Sequence, residues 1–366
     1  MRVVLFDNRR IILHRQPSSI NHEEIRPVFP ILDKVVYLNT GTYGIMPQPA
    51  LETFLEWVKA FEIGGVACSV NLGELTETSR SKVAELIGAE SADTIAFNRN
   101  ATDGINFLLA GINLGQGDEV ISTKEEHEAM FHPLLYLQKM RGIKVHWLDF
   151  SADPEQVLHQ LNRLWSKRTR LIAFSLVSCE TGTRFPAREV CAWAAERNIL
   201  TLADGAQATG NIPVNVRSLG CDFYASNGHK WLCGPKGTGF FYGRIEKLDS
   251  LFLPYVGAGS LEKAVLESGE VIPWKNARKF EYGTRSWALH AGLGASLSWF
   301  EAIGWDKVYL NNRLMSDKLK RMILARPYLR LLSPIGWDES SGIVTFIVQG
   351  YNAGDVSRML NQKKNI

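Results

Sequence analysis

The chain has 366 residues, with 45% hydrophobic and 22% charged side chains; that balance is typical of folded globular proteins and excludes disordered and fibrous classes. Lysine and arginine total 41 against 38 aspartate and glutamate, and the resulting net charge of +3 is too small to argue for a nucleic-acid or membrane-surface partner. At ~100–200 residues per domain, the length predicts two domains, or one large α/β domain with a smaller appendage.

In chain order, residues 1–34 read as an N-terminal extension. Their first stretch is basic and apolar in patches, but it holds Asp7 and lacks a continuous apolar region with a small-residue cleavage site, so an untargeted cytoplasmic protein is expected. Residues 35–285 form the expected large domain. Its first predicted strand is Thr94–Phe97, followed by a polar turn over Asn98–Thr102 and a helical run from Asp103. Strands then follow at Glu119–Ser122, Lys144–Leu148, Leu171–Val177 and Ile199–Ala203, separated by helices at Glu128–Arg141, Pro154–Ser166 and Arg188–Asn198. Phe223–Ala225 and Gly239–Tyr242 add two strands around a glycine-rich turn. Strands alternating with helices predict a mostly parallel, doubly wound sheet covered on both faces. Residues 286–366 form a smaller α+β domain, with helices at Trp287–Ile303, Asp306–Ala325 and Asp355–Gln362 and a strand at Gly342–Val348.

No uncharged stretch reaches the ~18 apolar residues that a membrane span needs. The five cysteines, Cys68, Cys179, Cys191, Cys221 and Cys233, form no CxxC pair, so neither a zinc site nor a disulfide framework is expected.

Open parallel sheets bind ligands beyond the carboxyl ends of their strands, so polar residues just after strands are the candidates for chemistry. Asp204 follows the run ILTLA; on its own it would serve equally well as a helix N-cap. His229 and Lys230 follow the next run and precede GPKGTG. A lysine between His229 and Trp231 sits in an odd setting for a surface charge, and a desolvated lysine loses its proton readily and becomes a Schiff-base former.

Asp204-Gly-Ala-Gln207, Gly228-His229-Lys230 and Gly237-Thr238-Gly239 together resemble the signature of the class V aminotransferase family, fold-type-I enzymes that use pyridoxal 5′-phosphate (PLP). The similarity runs in order from Tyr37–Thr42 through Arg99–Asn106, Glu126-His127 and Ser178–Gly182 to Phe280–Thr284. The resemblance implies that Lys230 holds PLP covalently and acts as base at the substrate Cα. It places Asp204 against the pyridine nitrogen, where a carboxylate favours the protonated, electron-withdrawing ring. It sets Gln207 as donor to the ring 3′-oxygen and His127 over the ring face. Ala101 and Thr102, at a helix start, would cradle the phosphate with the Thr102 hydroxyl, His229 and either Ser226 or Asn227. Thr284 matches a threonine that reaches the phosphate of a neighbouring subunit, which implies a homodimer with shared active sites.

The resemblance also implies several dozen residues beyond a helix such as Asp355–Gln362, carrying an arginine that grips the substrate carboxylate. The sequence ends at Ile366, so that arginine has no matched position; Arg99 and Arg285 are the substitutes nearest the motifs. Tyr255–Gly257 and Lys279–Glu281 look like the carbon–sulfur lyases of the family, which predicts β-elimination on a sulfur-containing amino acid, of the C–S lyase or cysteine desulfurase kind. Asn227 and Gly283–Arg285 lean toward an aminotransferase or epimerase, and the short tail toward a truncated, non-catalytic relative. Cys179 reads as a small buried hydrophobe rather than a nucleophile.

Overall fold

A computed structural model describes residues 20–364 and 366. The expected leader-free N-terminus lies mostly outside the described residues. Seven strands make the central sheet: β1 (Ile95–Asn98), β2 (Glu119–Thr123), β3 (Lys144–Leu148), β4 (Thr169–Ser175), β5 (Leu200–Asp204), β6 (Phe223–Asn227) and β7 (Gly239–Gly243). Their spatial order is β1-β7-β6-β5-β4-β2-β3, and only β7 runs against the others. The fold is α/β, with the mostly parallel sheet that the alternation of strands and helices predicts. Strands such as β1 and β2 are buried along their whole length, as expected where helices cover both sheet faces. One apolar cluster, including Phe97, Phe174 and Tyr224, fills one side of the sheet. Another, including Leu108, Leu134 and Phe241, fills the other.

The helices Glu128–Arg141 and Trp287–Ile303 have the predicted bounds. The helix expected to reach Asn198 stops at Ala195, because Ile199 N–H turns back to Ala194 and Asn198 takes a left-handed φ of 55°. The strand expected at Gly342–Val348 shortens to β11 (Phe346–Val348), paired with β10 (Leu329–Leu331). Its missing start has a physical cause. Gly342 N–H donates to Asn211 Oδ1 at 3.0 Å, so that segment is tied to the loop after β5 instead of pairing along β10. Two helices, Gln48–Gly64 and Ser69–Leu86, were not anticipated, nor was the hairpin of β8 (Leu261–Val265) and β9 (Glu270–Pro273). Both helices pack against Trp287–Ile303. Among the described residues, no helix is long and apolar enough to cross a membrane.

A charged network fastens these helices to the outer edge of the sheet. Arg80 is fully buried on Ser69–Leu86; its guanidinium binds both oxygens of Glu281 and donates to the carbonyl of Ile95 at 2.9 Å. Arg285 is a second arginine on Glu281, donating to it at 2.8 Å. Burial alone would raise the Glu281 carboxyl, but Arg80 and then Arg285 hold it down at about 2. His290 stacks on Phe97 beside this network with ring centroids 4.4 Å apart, and burial lowers its imidazole to about 4. Between pH 6.5 and 4 the unfolded chain therefore binds a proton at His290 that the fold refuses, so stability contributed by the neutral ring is present above pH 6.5 and lost as pH falls through 4. His290→Gln removes that titration. The urea-midpoint stability of wild type relative to this variant is expected to drop by about 3 kcal/mol between pH 7 and pH 4. A pH-independent difference would show that His290 is not held neutral.

Candidate active site

The strand ends set the site. Asp204 closes β5, Asn227 closes β6, and the helix Ala101–Gly111 starts just past the end of β1. All three positions line one cleft of about 1890 Å³, with Lys230 and Gln207 in its wall. That volume exceeds the roughly 300–1,000 Å³ of an ordinary ligand pocket because the cleft continues outward between Val35–Tyr43 and C-terminal residues such as Phe346 and Leu360.

Glycines bring the parts together at two points. On β7, Gly239 pairs with both Asn98 and Asn227; a Cβ there would lie 2.6 Å from the Asn100 Cα. The bare backbone lets Asn227 reach across β7, and its Oδ1 accepts the Ala101 N–H at 3.0 Å. At Gly44, a Cβ would fall 1.9 Å from the Lys230 carbonyl oxygen. Gly44 N–H instead donates to the His229 carbonyl at 2.7 Å, clamping the Asn39–Gly44 segment onto the Lys230 loop.

Asp204 is buried, and one carboxylate oxygen accepts the Ala206 N–H at 2.8 Å while the other is left without a donor among the described residues. Burial pushes its carboxyl up, and the Ala206 N–H, Lys230 and His127 pull it back. Burial pushes the Lys230 amine down, opposed by Asp204 and Cys179, and its Nζ makes no hydrogen bond among the described residues. An amine whose charge is disfavoured and whose lone pair is uncommitted is the state a Schiff-base lysine requires. Cys179 lines the same cleft, with its thiol raised to about 11 by burial first and Glu180 second, so it is not a thiolate at neutral pH.

His127 caps the helix Glu128–Arg141, its Nδ1 accepting the Ala129 N–H at 3.0 Å, and it also lines the cleft. When neutral, the ring therefore carries its proton on Nε2. Gln207 lines the cleft too, bonded through its amide to Gly41 and Trp231.

On the anion side, Asn100 caps the helix Ala101–Gly111 by accepting the Asp103 N–H, and Asn227 takes the Ala101 N–H. That leaves the Thr102 N–H and hydroxyl at the helix start facing no partner among the described residues. His229 Nδ1 lies 3.0 Å from the Thr238 carbonyl and must donate to it, while burial lowers the ring's basicity. An anion held at its Nε2 would have to draw a proton onto that nitrogen. Ser226 turns away from the cleft: it is fully buried and donates to the Gly205 carbonyl at 3.0 Å, beside Thr209. Thr284 is exposed and does not line the cleft. Arg99 reaches the cleft wall but its guanidinium is engaged by Asp103, whereas Arg285 faces Glu281 outside it.

Three neighbours of this site carried no assigned role in the sequence. Glu126 sits beneath it and accepts from Thr123 Oγ1 at 2.6 Å and from the N–H and hydroxyl of Ser175 at 2.9 and 2.6 Å. These bonds tie the ends of β2 and β4 just before His127, and burial raises the carboxyl to about 7 against the pull of its donors. Trp231 read only as an apolar flank of Lys230, and Lys236 only as part of a glycine-rich turn; the latter reaches the Gly44 carbonyl. The signal for all three was adjacency to a strand end, which does not by itself distinguish a side chain pointing in from one pointing out.

An uncommitted half-buried amine, a buried carboxylate with one free oxygen and a helix start with free donors fit a cofactor carrying a carbonyl, a basic ring nitrogen and a phosphate. A family model described as Aminotransferase class-V matches residues 48–366. A probable cysteine desulfurase of Streptomyces coelicolor is 30% identical over 368 residues, covering 95% of this chain and 87% of its own length. A solved C-DES mutant with glycine covalently linked to the PLP cofactor superposes with a TM-score of 0.86 at 27% identity, over 93% of this chain and 90% of that one. The complex of the cystine C–S lyase C-DES with its product cysteine persulfide gives 0.84 at 27% identity, over 92% and 90%.

Proposed function

The chain belongs to the class-V aminotransferase family, and from that premise we propose that it is a PLP-dependent enzyme that breaks the carbon–sulfur bond of a sulfur-containing amino acid. The observation that carries this reading is Lys230: a half-buried, uncommitted amine beside Asp204 at the carboxyl ends of the parallel strands.

PLP, when bound, draws electrons from the substrate Cα and makes its hydrogen acidic. The protein's own groups do the rest. Lys230 would hold the cofactor through Nζ, and the same amine would take the substrate Cα proton. The electron pair left at Cα closes the Cα–Cβ double bond as the Cβ–S bond breaks, and the sulfur departs with that bond's electrons. Asp204 would offer its free oxygen to the ring nitrogen, inside a site where burial would strengthen the contact. His127 would cover one face of the ring and Gln207 would donate to its oxygen. Thr102 and His229 would hold the phosphate, and Asn227 sets the helix start in place through the Ala101 N–H. Ser226 supports the wall from behind, through Thr209 and Gly205.

The same reading makes the protein a cytoplasmic homodimer. Leu51, Leu55, Ile63 and Val66 expose apolar surface along and just after Gln48–Gly64, and Thr284 stands exposed for a neighbouring subunit's phosphate. Purified protein supplied with PLP is expected to release a keto acid and ammonia from cysteine or cystine, with sulfide as the sulfur product from cysteine and a persulfide from cystine, and to run as a dimer by light scattering. Conversion to a pyridoxamine form without sulfide would favour transamination. PLP binding with no turnover would favour a non-catalytic relative, and a monomer would remove the shared-site part of the reading.

A further inference from the structure

Gln207 is held by two groups with opposite and fixed hydrogen-bonding character. Trp231 Nε1–H donates to Gln207 Oε1 at 2.8 Å, and Gln207 Nε2 donates to the Gly41 carbonyl at 2.9 Å. An indole N–H can only donate and a peptide carbonyl can only accept. Flipping the amide would therefore oppose two donors at one end and two acceptors at the other. The second Nε2 hydrogen has no partner among the described residues, and Gln207, Trp231 and Gly41 all line the cleft.

The indole is itself held from the small-domain side. A Cβ on Gly342 would stand 3.3 Å from Trp231 Cη2, so the edge of the indole lies close against that glycine. Gly342 N–H is fixed by Asn211 Oδ1 at 3.0 Å, and Asn211 Nδ2 donates to the Gln207 carbonyl at 2.9 Å. Asn312, on the helix Trp305–Leu324, donates to the Asn211 carbonyl at 3.0 Å. The amide, the indole and the small-domain loop thus form one closed set of contacts.

We propose that Trp231 is a positioning residue: its indole N–H locks the Gln207 amide so that the cleft is offered an N–H edge, a subsite for an electron-rich oxygen. That the oxygen belongs to the ring of PLP rests on the proposed function above; the lock itself does not. Because Trp231 follows Lys230 directly, the residue that anchors the cofactor and the one that orients this donor share a peptide bond. The contact with Gly342 makes the donor's orientation depend on where the small domain sits.

The test begins without cofactor. In apo protein labelled with nitrogen-15 glutamine, the Gln207 side-chain signal is identified by its loss in Gln207→Glu. In Trp231→Phe, which keeps a ring on Gly342 but no N–H, that signal is expected to shift, with solvent exchange of its protons faster by roughly three-fold or more. An unmoved signal overturns the lock whatever the cofactor does. Should Trp231→Phe fail to fold, Gln207→Leu reads the same bond from the other end, through the Trp231 indole signal. With PLP added, the pH midpoint of the bound chromophore is expected to rise in Trp231→Phe by an amount equal to roughly a three-fold change in proton affinity. A moved amide signal with an unchanged midpoint would remove the oxygen subsite. If wild type takes up no PLP, the proposed function fails while the apo signals still decide the lock.

Discussion

Lys230→Ala is expected to lower carbon–sulfur cleavage by about 10⁴-fold, because on the proposed reading a single change removes both the covalent anchor and the base. The structure makes this a clean experiment. Lys230 Nζ makes no hydrogen bond among the described residues, and its ammonium form is disfavoured by burial, so the variant should lose little stability. Borohydride should fix the cofactor to wild type, recorded as a retained absorbance after unfolding, and should leave Lys230→Ala free of it. Lys230→Arg should not rescue, since a guanidinium stays protonated and cannot form the bond or take the proton. Near-normal cleavage by the alanine variant would move the chemistry to another group. Loss of activity with an equal loss of melting temperature would mean the loop had collapsed instead. Asp204 makes the two outcomes easy to separate, because its own anchor, the Ala206 N–H, does not depend on Lys230.

How much of this was legible beforehand follows from what periodicity reports. The buried strands β2, β4, β5 and β6 announce themselves as short, largely apolar runs, and Asp204, Asn227 and Lys230 stand out because polar groups follow those runs. The helices Gln48–Gly64 and Ser69–Leu86 gave no such signal. In the first, Leu51, Leu55 and Ile63 are exposed, so the apolar positions do not form one inward stripe within a single chain. Ser69–Leu86 carries Arg80, a residue that sequence alone places at the surface, yet it is among the largest fully buried side chains. The shortened β11 is of the same kind: Gly342 is drawn to Asn211, and a contact across more than a hundred residues leaves no trace in a local window. Side-chain direction was the other loss. Ser226 and Asn227 are adjacent on β6, and alternation sends one into the core and the other to the cleft, but the starting register had to be seen.

Arg80 carries the second large expectation. Arg80→Leu should destabilise the fold by about 3–5 kcal/mol, because it leaves Glu281 buried with only Arg285 and the Phe97 N–H for company. Glu281→Leu should cost a similar amount, since Arg80 would keep only Glu77 and the Ile95 carbonyl as partners. The double variant should cost much less than the sum, by at least about 2 kcal/mol, because it removes both charges and the two leucines can pack against Phe97. The sign of the pH dependence follows from the depressed Glu281 carboxyl. Its contribution is complete above the unfolded carboxyl's ordinary value near 4.5 and is lost as pH falls through about 2. Arg80→Leu should therefore be most destabilised, relative to wild type, near neutral pH, with the gap narrowing in acid. Urea unfolding of the four proteins at pH 7 and pH 3 checks both points. Strict additivity would mean that the two residues act through separate contacts. A gap that does not narrow would mean that Glu281 keeps its charge by other means, with Arg285 as the first suspect because it binds the same carboxylate oxygen that Arg80 Nη2 holds.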